Sequence, residues 1–103
     1  MVYQIIMDDL VTGEQWTADR FNSVTEALEF IRSLLIEETW EDKEEYKEWL
    51  QDNDYDEEEH PMEEFVAEVT RDLDVEIDHY LRSGMHRRTG IVWKTQQYTI
   101  IKQ

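Results

Sequence analysis

The chain has 103 residues, 26 of them acidic against ten basic, for a formal net charge of −16. A surface this negative repels free DNA, RNA and anionic lipid, and attracts the Lys- and Arg-rich clefts that ordinarily hold nucleic acid. The absence of cysteine excludes a disulfide framework and a thiolate metal site.

Length bounds the chain at one domain, residues 1–103, with a modest core. Charged residues make up 35%, a share that borders on disorder, but four Trp, five Tyr and three Phe are more than a disordered acidic chain carries. The start has neither the basic stretch nor the apolar run of a signal peptide, and no run approaches the length of a membrane span. A soluble, cytoplasmic protein is expected.

Residues 2–7 (VYQIIM) are β-branched and aromatic and end in two Asp, which predicts a strand. Thr12-Gly13 marks a turn, and residues 15–18 (QWTA) read as the return strand of a hairpin with a loop at 10–14. Ser23 and Glu26 have capping-box spacing. Behind them Val24, Ala27, Leu28, Ile31, Leu34 and Leu35 recur at helical spacing, with Phe30 widening the stripe. A second helical pattern, Tyr46, Trp49 and Leu50, follows Thr39 and Trp40. Either Thr39 caps a new helix or one helix runs through it. Residues 52–59 (DNDYDEEE) lack apolar periodicity and read as a loop or frayed end.

Pro61 suits a first helical position, with Glu63 and Glu64 placed well for the helix dipole. Met62, Phe65, Val66, Val69, Leu73, Ile77, Tyr80 and Leu81 then form one stripe, closed by Arg82 and Gly84. His86, Arg87 and Arg88 lie in a basic turn. Residues 91–93 and 98–101 are strand-like, as two strands or one long edge strand. The expected fold class is α+β: a small antiparallel sheet, from an N-terminal hairpin and a C-terminal strand or hairpin, packed against about three helices.

The charge is unevenly spread. Positions 37–78 hold twenty acids against three bases, a net of −17, whereas positions 79–103 hold five bases and no acid. Two carboxylates about 6 Å apart repel by roughly 0.7 kcal/mol even at the dielectric of water, so such a concentration works against compactness. Glu64, Glu68, Asp72 and Glu76 fall four apart and predict a file of carboxylates along one helix. Glu41, Glu45, Glu48 and Asp52 predict a second file, and Asp54, Asp56, Glu57, Glu58 and Glu59 a dense knot between them. Charge runs ordinarily do no more than solvate a face. Like charge at i,i+4 with almost no Lys is different, because an undemanding surface places Glu–Lys pairs there.

Two files and a knot imitate the phosphates of a short duplex and draw on the counterion release that drives nucleic-acid binding. Aromatic anchors add specificity. Of Trp40, Tyr46, Trp49 and Tyr55, the second and third share a core-like stripe, and Tyr55 is the best exposed candidate. The pattern resembles the small acidic DNA-mimic inhibitors of phages and mobile elements, of the anti-CRISPR and anti-restriction type. The resemblance covers positions 37–78 and rests on carboxylate density with interspersed aromatics. It implies a non-enzymatic inhibitor in the host cytoplasm that occludes the basic cleft of a nuclease or CRISPR effector, with no cofactor and no direct contact to nucleic acid or membrane. The partner-binding residues are then Glu41, Glu45, Glu48, Asp52, Asp54, Tyr55, Asp56, Glu57, Glu58, Glu59, Glu64, Glu68 and Asp72. The basic segment departs from a uniformly acidic mimic, and nuclease immunity proteins share the same physics.

Two other readings stand beside it. Asp52, Asp54, Asp56 and Glu63 occupy positions 1, 3, 5 and 12 of a calcium loop, although Glu57 stands where glycine is needed and Pro61 interrupts the loop. A structural or adaptor module could instead dimerise through a sheet edge at Tyr98 and Ile101, its acidic face merely solvated. Catalysis has little basis: the spacings Glu57–His60 and Glu76–His79 are expected by chance among so many acids, and no nucleophile or phosphate loop is present.

Overall fold

Two hairpins close into one sheet because the two ends of the chain pair with each other. In the computed structural model, which describes residues 2–83 and 90–103, the elements are β1 (Tyr3–Asp9), β2 (Gln15–Phe21), α1 (Val24–Glu41), α2 (Lys43–Asn53), α3 (Met62–Ser83), β3 (Ile91–Trp93) and β4 (Gln96–Lys102). The sheet is antiparallel, in the order β2-β1-β4-β3, with the helices on one face. Its centre is the β1–β4 ladder, running from Tyr3 opposite Lys102 to Asp9 opposite Gln96.

Residues 91–101 hold two strands, joined at Lys94 and Thr95, where Lys94 adopts φ 56 to make the tight reversal. Tyr98 and Ile101 therefore belong to an internal strand, bonded to β1 and, at Tyr98, to β3. The outer strands are β2 and β3, but β3 covers β4 only at 96–98, so the expected edge at 98–101 is corrected at Tyr98, while 99–101 pairs with β1 alone among the described residues. Gly90 leads into β3 against the β4 backbone: a Cβ there would lie 2.1 Å from the Tyr98 carbonyl oxygen.

The Ser23 hydroxyl accepts the Glu26 N–H at 3.1 Å, and the Glu26 carboxylate reaches back to the Asn22 N–H at 3.1 Å. This fixes the start of α1 as its sequence indicates. Thr39 caps nothing. It is buried inside α1, its hydroxyl donating to the Leu35 carbonyl at 2.7 Å. The break falls at Asp42 (φ −89, ψ 78), whose side chain accepts the Glu45 N–H at 3.1 Å and starts α2. Two helices therefore span 24–53. Arg82 sits in the last turn of α3 as expected; Gly84 and the basic turn at 86–89 lie outside the described residues.

Ile5, Met7 and Tyr98 from the sheet meet Ala27, Ile31 and Leu35 of α1 and Leu73 of α3 in the main core. Leu28, Tyr80 and Ile91 extend it toward the end of α3. Phe30 and Leu81 leave their predicted stripes and stand 40% and 54% exposed, Phe30 with its ring 5.2 Å from Phe21. A separate cluster of Tyr46, Leu50, Phe65 and Val66 joins α2 to the first half of α3 and contains no strand residue. The molecule is correspondingly long, 48 × 28 × 22 Å. The helical arm formed by α2 and the start of α3 carries the acidic stretch.

Candidate protein-interaction surface

A helix pair buries one stripe and leaves whatever flanks it at the surface. Between α2 and α3 lies a shallow groove of about 220 Å³, lined by Glu45, Glu48, Trp49, Asp52 and Phe65. Trp49 is half-buried across it, and its indole N–H donates to Glu68 Oε2 at 2.9 Å. That bond sets Glu68 of α3 beside the Trp49 ring that lines the groove with the α2 carboxylates. Glu48 and Asp52 are exposed on one wall; Glu64, Glu68 and Asp72 are exposed on α3.

Neither file is as long as its spacing suggests. Each four-residue step advances a helix about 40° beyond a full turn, so a file of four winds around the axis. On α3 the winding carries the last member toward the core, and Glu76 is half-buried where Glu64, Glu68 and Asp72 are exposed. On the other side the break at Asp42 leaves Glu41 at the end of α1, so Glu45, Glu48 and Asp52 alone share α2. Glu45 is paired with Lys94 of the β3–β4 turn and is compensated there.

The knot at 54–59 is an ordered series of turns rather than a frayed end. Asp54 closes α2 in the left-handed conformation (φ 55), and the Tyr55 N–H bonds the Leu50 carbonyl at 2.9 Å. Asp56 accepts the Glu58 N–H on its side chain (3.2 Å) and the His60 N–H on its carbonyl (2.9 Å). The Tyr55 ring stacks on His60 at 3.8 Å, with Trp49 edge-on at 5.2 Å. His60 is fixed in turn: Tyr46 Oη donates to its carbonyl at 2.6 Å, and its Nδ1 lies 2.9 Å from Glu64 Oε2. Tyr55 keeps 40% of its surface exposed on this clamp, and Trp40, at the end of α1, keeps 42%. Glu57, Glu58 and Glu59 are exposed. Of the residues expected at the surface, those from Glu45 to Asp72 gather on the arm, and Glu41 stands at its base.

Apart from Lys94 at Glu45 and His60 beside Glu64, the ion pairs among the described residues lie off the arm. Arg32 holds Asp74 at 2.7 Å and Arg82 holds Asp78 at 2.9 Å, both on the second half of α3. The hydrogen bond that Arg32 donates to Asp74, with the charge of that carboxylate, pushes the guanidinium above its ordinary range. Among the described residues Glu41, Glu48, Asp52, Asp54, Asp56, Glu57, Glu58, Glu59, Glu68 and Asp72 have no cation within ion-pair distance. The field of the arm registers on Tyr46, whose hydroxyl is raised by burial and then by Glu57, Glu63 and Glu64. At the base of the arm, desolvation raises Glu38; Lys94 opposes the shift, and Glu41 and Glu37 add to it.

The parts that hold the surface together, Trp49, His60 and Lys94, were not read from the sequence as a set. Trp49 and Glu68 are 19 positions apart and Lys94 and Glu45 are 49 apart, separations that carry no periodic signal. The calcium-loop reading finds no geometric support: among the described residues no three His, Asp or Glu side chains converge to hold a metal ion. Asp52 is helical, and Glu63 lies beyond Pro61 in the first turn of α3. No described helix is long and apolar enough to cross a membrane. The chain matches no protein-family model, no curated protein and no solved structure.

Proposed function

We propose that the chain is a non-enzymatic inhibitor that presents the carboxylates of its helical arm in place of nucleic-acid phosphates and occludes the basic cleft of a nuclease or CRISPR or restriction complex. The observation that carries this reading is the α2–α3 groove. The exposed carboxylates Glu48 and Asp52 line its α2 side, and Glu68 of α3 is bonded to Trp49 across it. None of the three has a cation within ion-pair distance among the described residues, and the scaffold is braced by the Trp49–Glu68 bond and by the Tyr55–His60 stack. Bracing matters because a rigid array pays little ordering entropy on binding, while a floppy acidic tail pays heavily. The charge steers encounter, and Tyr55, held in one orientation among the acids, serves as the anchor.

The test is inhibition of DNA cleavage by a panel of restriction and CRISPR nucleases. Asp54 and Asp56 also shape the loop, so charge reversal is cleanest at Glu48, Asp52, Glu58 and Glu59, which are exposed and make no side-chain bond that holds the fold. The expected result is inhibition by the wild-type chain and its loss in the E48K/D52K/E58K/E59K variant with the circular-dichroism spectrum unchanged. Inhibition undiminished in that variant would overturn the reading.

A further inference from the structure

On the other flank of α2 a second depression of about 270 Å³ is lined by Trp40, Lys43, Tyr46, Lys47, Glu57 and Met62. Tyr46 is buried, Met62 half-buried and Trp40 42% exposed, so the depression offers an apolar surface with an indole at its side. Lys43 and Lys47 stand one turn apart on α2, about 6 Å along its axis, and both are exposed. Neither lies within ion-pair distance of a carboxylate among the described residues, although the chain holds 26 acids. The helix thus sorts its charges: Glu45, Glu48 and Asp52 line one groove, and both of its cations line the other.

We infer that the Trp40–Lys43–Lys47 depression receives an acidic segment of the target protein that carries an apolar side chain, an inference that rests on the inhibitor reading. Charge complementarity selects this occupant. Nucleic acid is excluded by the −16 charge of the chain, against which two ammonium groups count for little. A short acidic segment on an otherwise basic protein meets no such barrier, because the arm itself draws that protein in. Clefts that cut phosphodiesters carry acidic side chains for their divalent metal ions, and those not engaged on a metal keep their charge. An inhibitor presenting carboxylates alone would be repelled there, and Lys43 and Lys47 remove the repulsion. Trp40 and Met62 supply the apolar contact that such an ion pair needs around it.

The groove is tested directly by titrating the full chain with the blocked peptide acetyl-Glu-Phe-Glu-Glu-amide and following the Trp40 indole and the lysine side chains by NMR. Saturable shifts at Trp40, Lys43 and Lys47 are expected, with affinity at least tenfold weaker for K43E/K47E and for the corresponding Gln-Phe-Gln-Gln peptide. No shift at Trp40, equal binding by the double variant, or the same shifts with inorganic phosphate would overturn the inference. This arm is independent of whether any nuclease is inhibited. On an inhibited nuclease the sign of one substitution decides. K43E/K47E makes the chain four charges more negative, so a mimic acting by charge alone binds tighter, whereas the inference requires binding at least tenfold weaker. If K43E/K47E tightens binding while the acidic reversal abolishes it, the inhibitor reading stands and this inference falls.

Discussion

The indole N–H of Trp49 donates to the Glu68 carboxylate across 2.9 Å, and this single bond ties the two helices of the acidic arm at the groove between them. It also sets the position of Glu68 among carboxylates that would otherwise splay apart. A bond from a neutral donor to a charged acceptor at a partly exposed site contributes about 1 kcal/mol net. Trp49→Phe keeps an aromatic ring against Phe65 and Tyr55 but removes the donor. The expected loss is about 1–2 kcal/mol in urea denaturation, the smaller packing volume adding to the missing bond. Glu68→Gln, which retains an acceptor, should lose less than Trp49→Phe.

Because the arm has its own core, it should open without the sheet. Leu50 belongs to the arm cluster, which shares the partly buried Ile36 of α1 with the main core, whereas Leu73 is fully buried between sheet and helices. Leu73→Ala is expected to cost about 2–5 kcal/mol and to lower the stability of the whole molecule. Leu50→Ala should show a different pattern in hydrogen exchange. Amides of α2 and of the first turns of α3 lose protection, while the β1–β4 ladder keeps it. Uniform loss of protection in Leu50→Ala would show that the arm and the sheet are one cooperative unit.

What the sequence makes legible follows from how local its causes are. The first hairpin, the Ser23–Glu26 cap and the position of α3 after Pro61 are written within a few residues, and the structure has them there. The antiparallel sheet with helices on one face follows from the order of those elements. The break at Asp42 was not legible, because Thr39 offered an equally good cap and only the burial of its side chain shows why it does not serve. Nor was the central β1–β4 ladder, which depends on pairing across nearly the whole chain. For the surface, composition marks the region but not its shape. Counting in fours placed Glu76 in a file that winds toward the core, and Glu45 looked uncompensated until the β3–β4 turn brought Lys94 to it.

Alkaline titration offers a check on the main core. Burial, with the nearby Glu38 charge adding, pushes the Tyr98 hydroxyl up to about 12. In the unfolded chain a tyrosine ionises near 10. Below that value both states hold the proton and Tyr98 adds no pH dependence. Between about 10 and 12 the unfolded state releases its proton and the folded state retains it, so stability falls as pH rises. Tyr80, also raised by burial, acts in the same direction. Denaturation followed across this window, with tyrosinate absorbance recorded in parallel, should show stability declining before the native Tyr98 ionises. Tyr98→Phe should flatten part of that decline.

If the arm replaces nucleic acid in a basic cleft, the two compete for that cleft, and competition measured as a function of salt reads this out. An inhibited nuclease is held on labelled duplex DNA, and the chain is titrated in at salt concentrations between about 50 and 200 mM. The chain is expected to displace the DNA, its own affinity falling at least tenfold over that range, and E48K/D52K/E58K/E59K to displace nothing. A complex holding nuclease, DNA and chain together, or an affinity indifferent to salt, would contradict that competition.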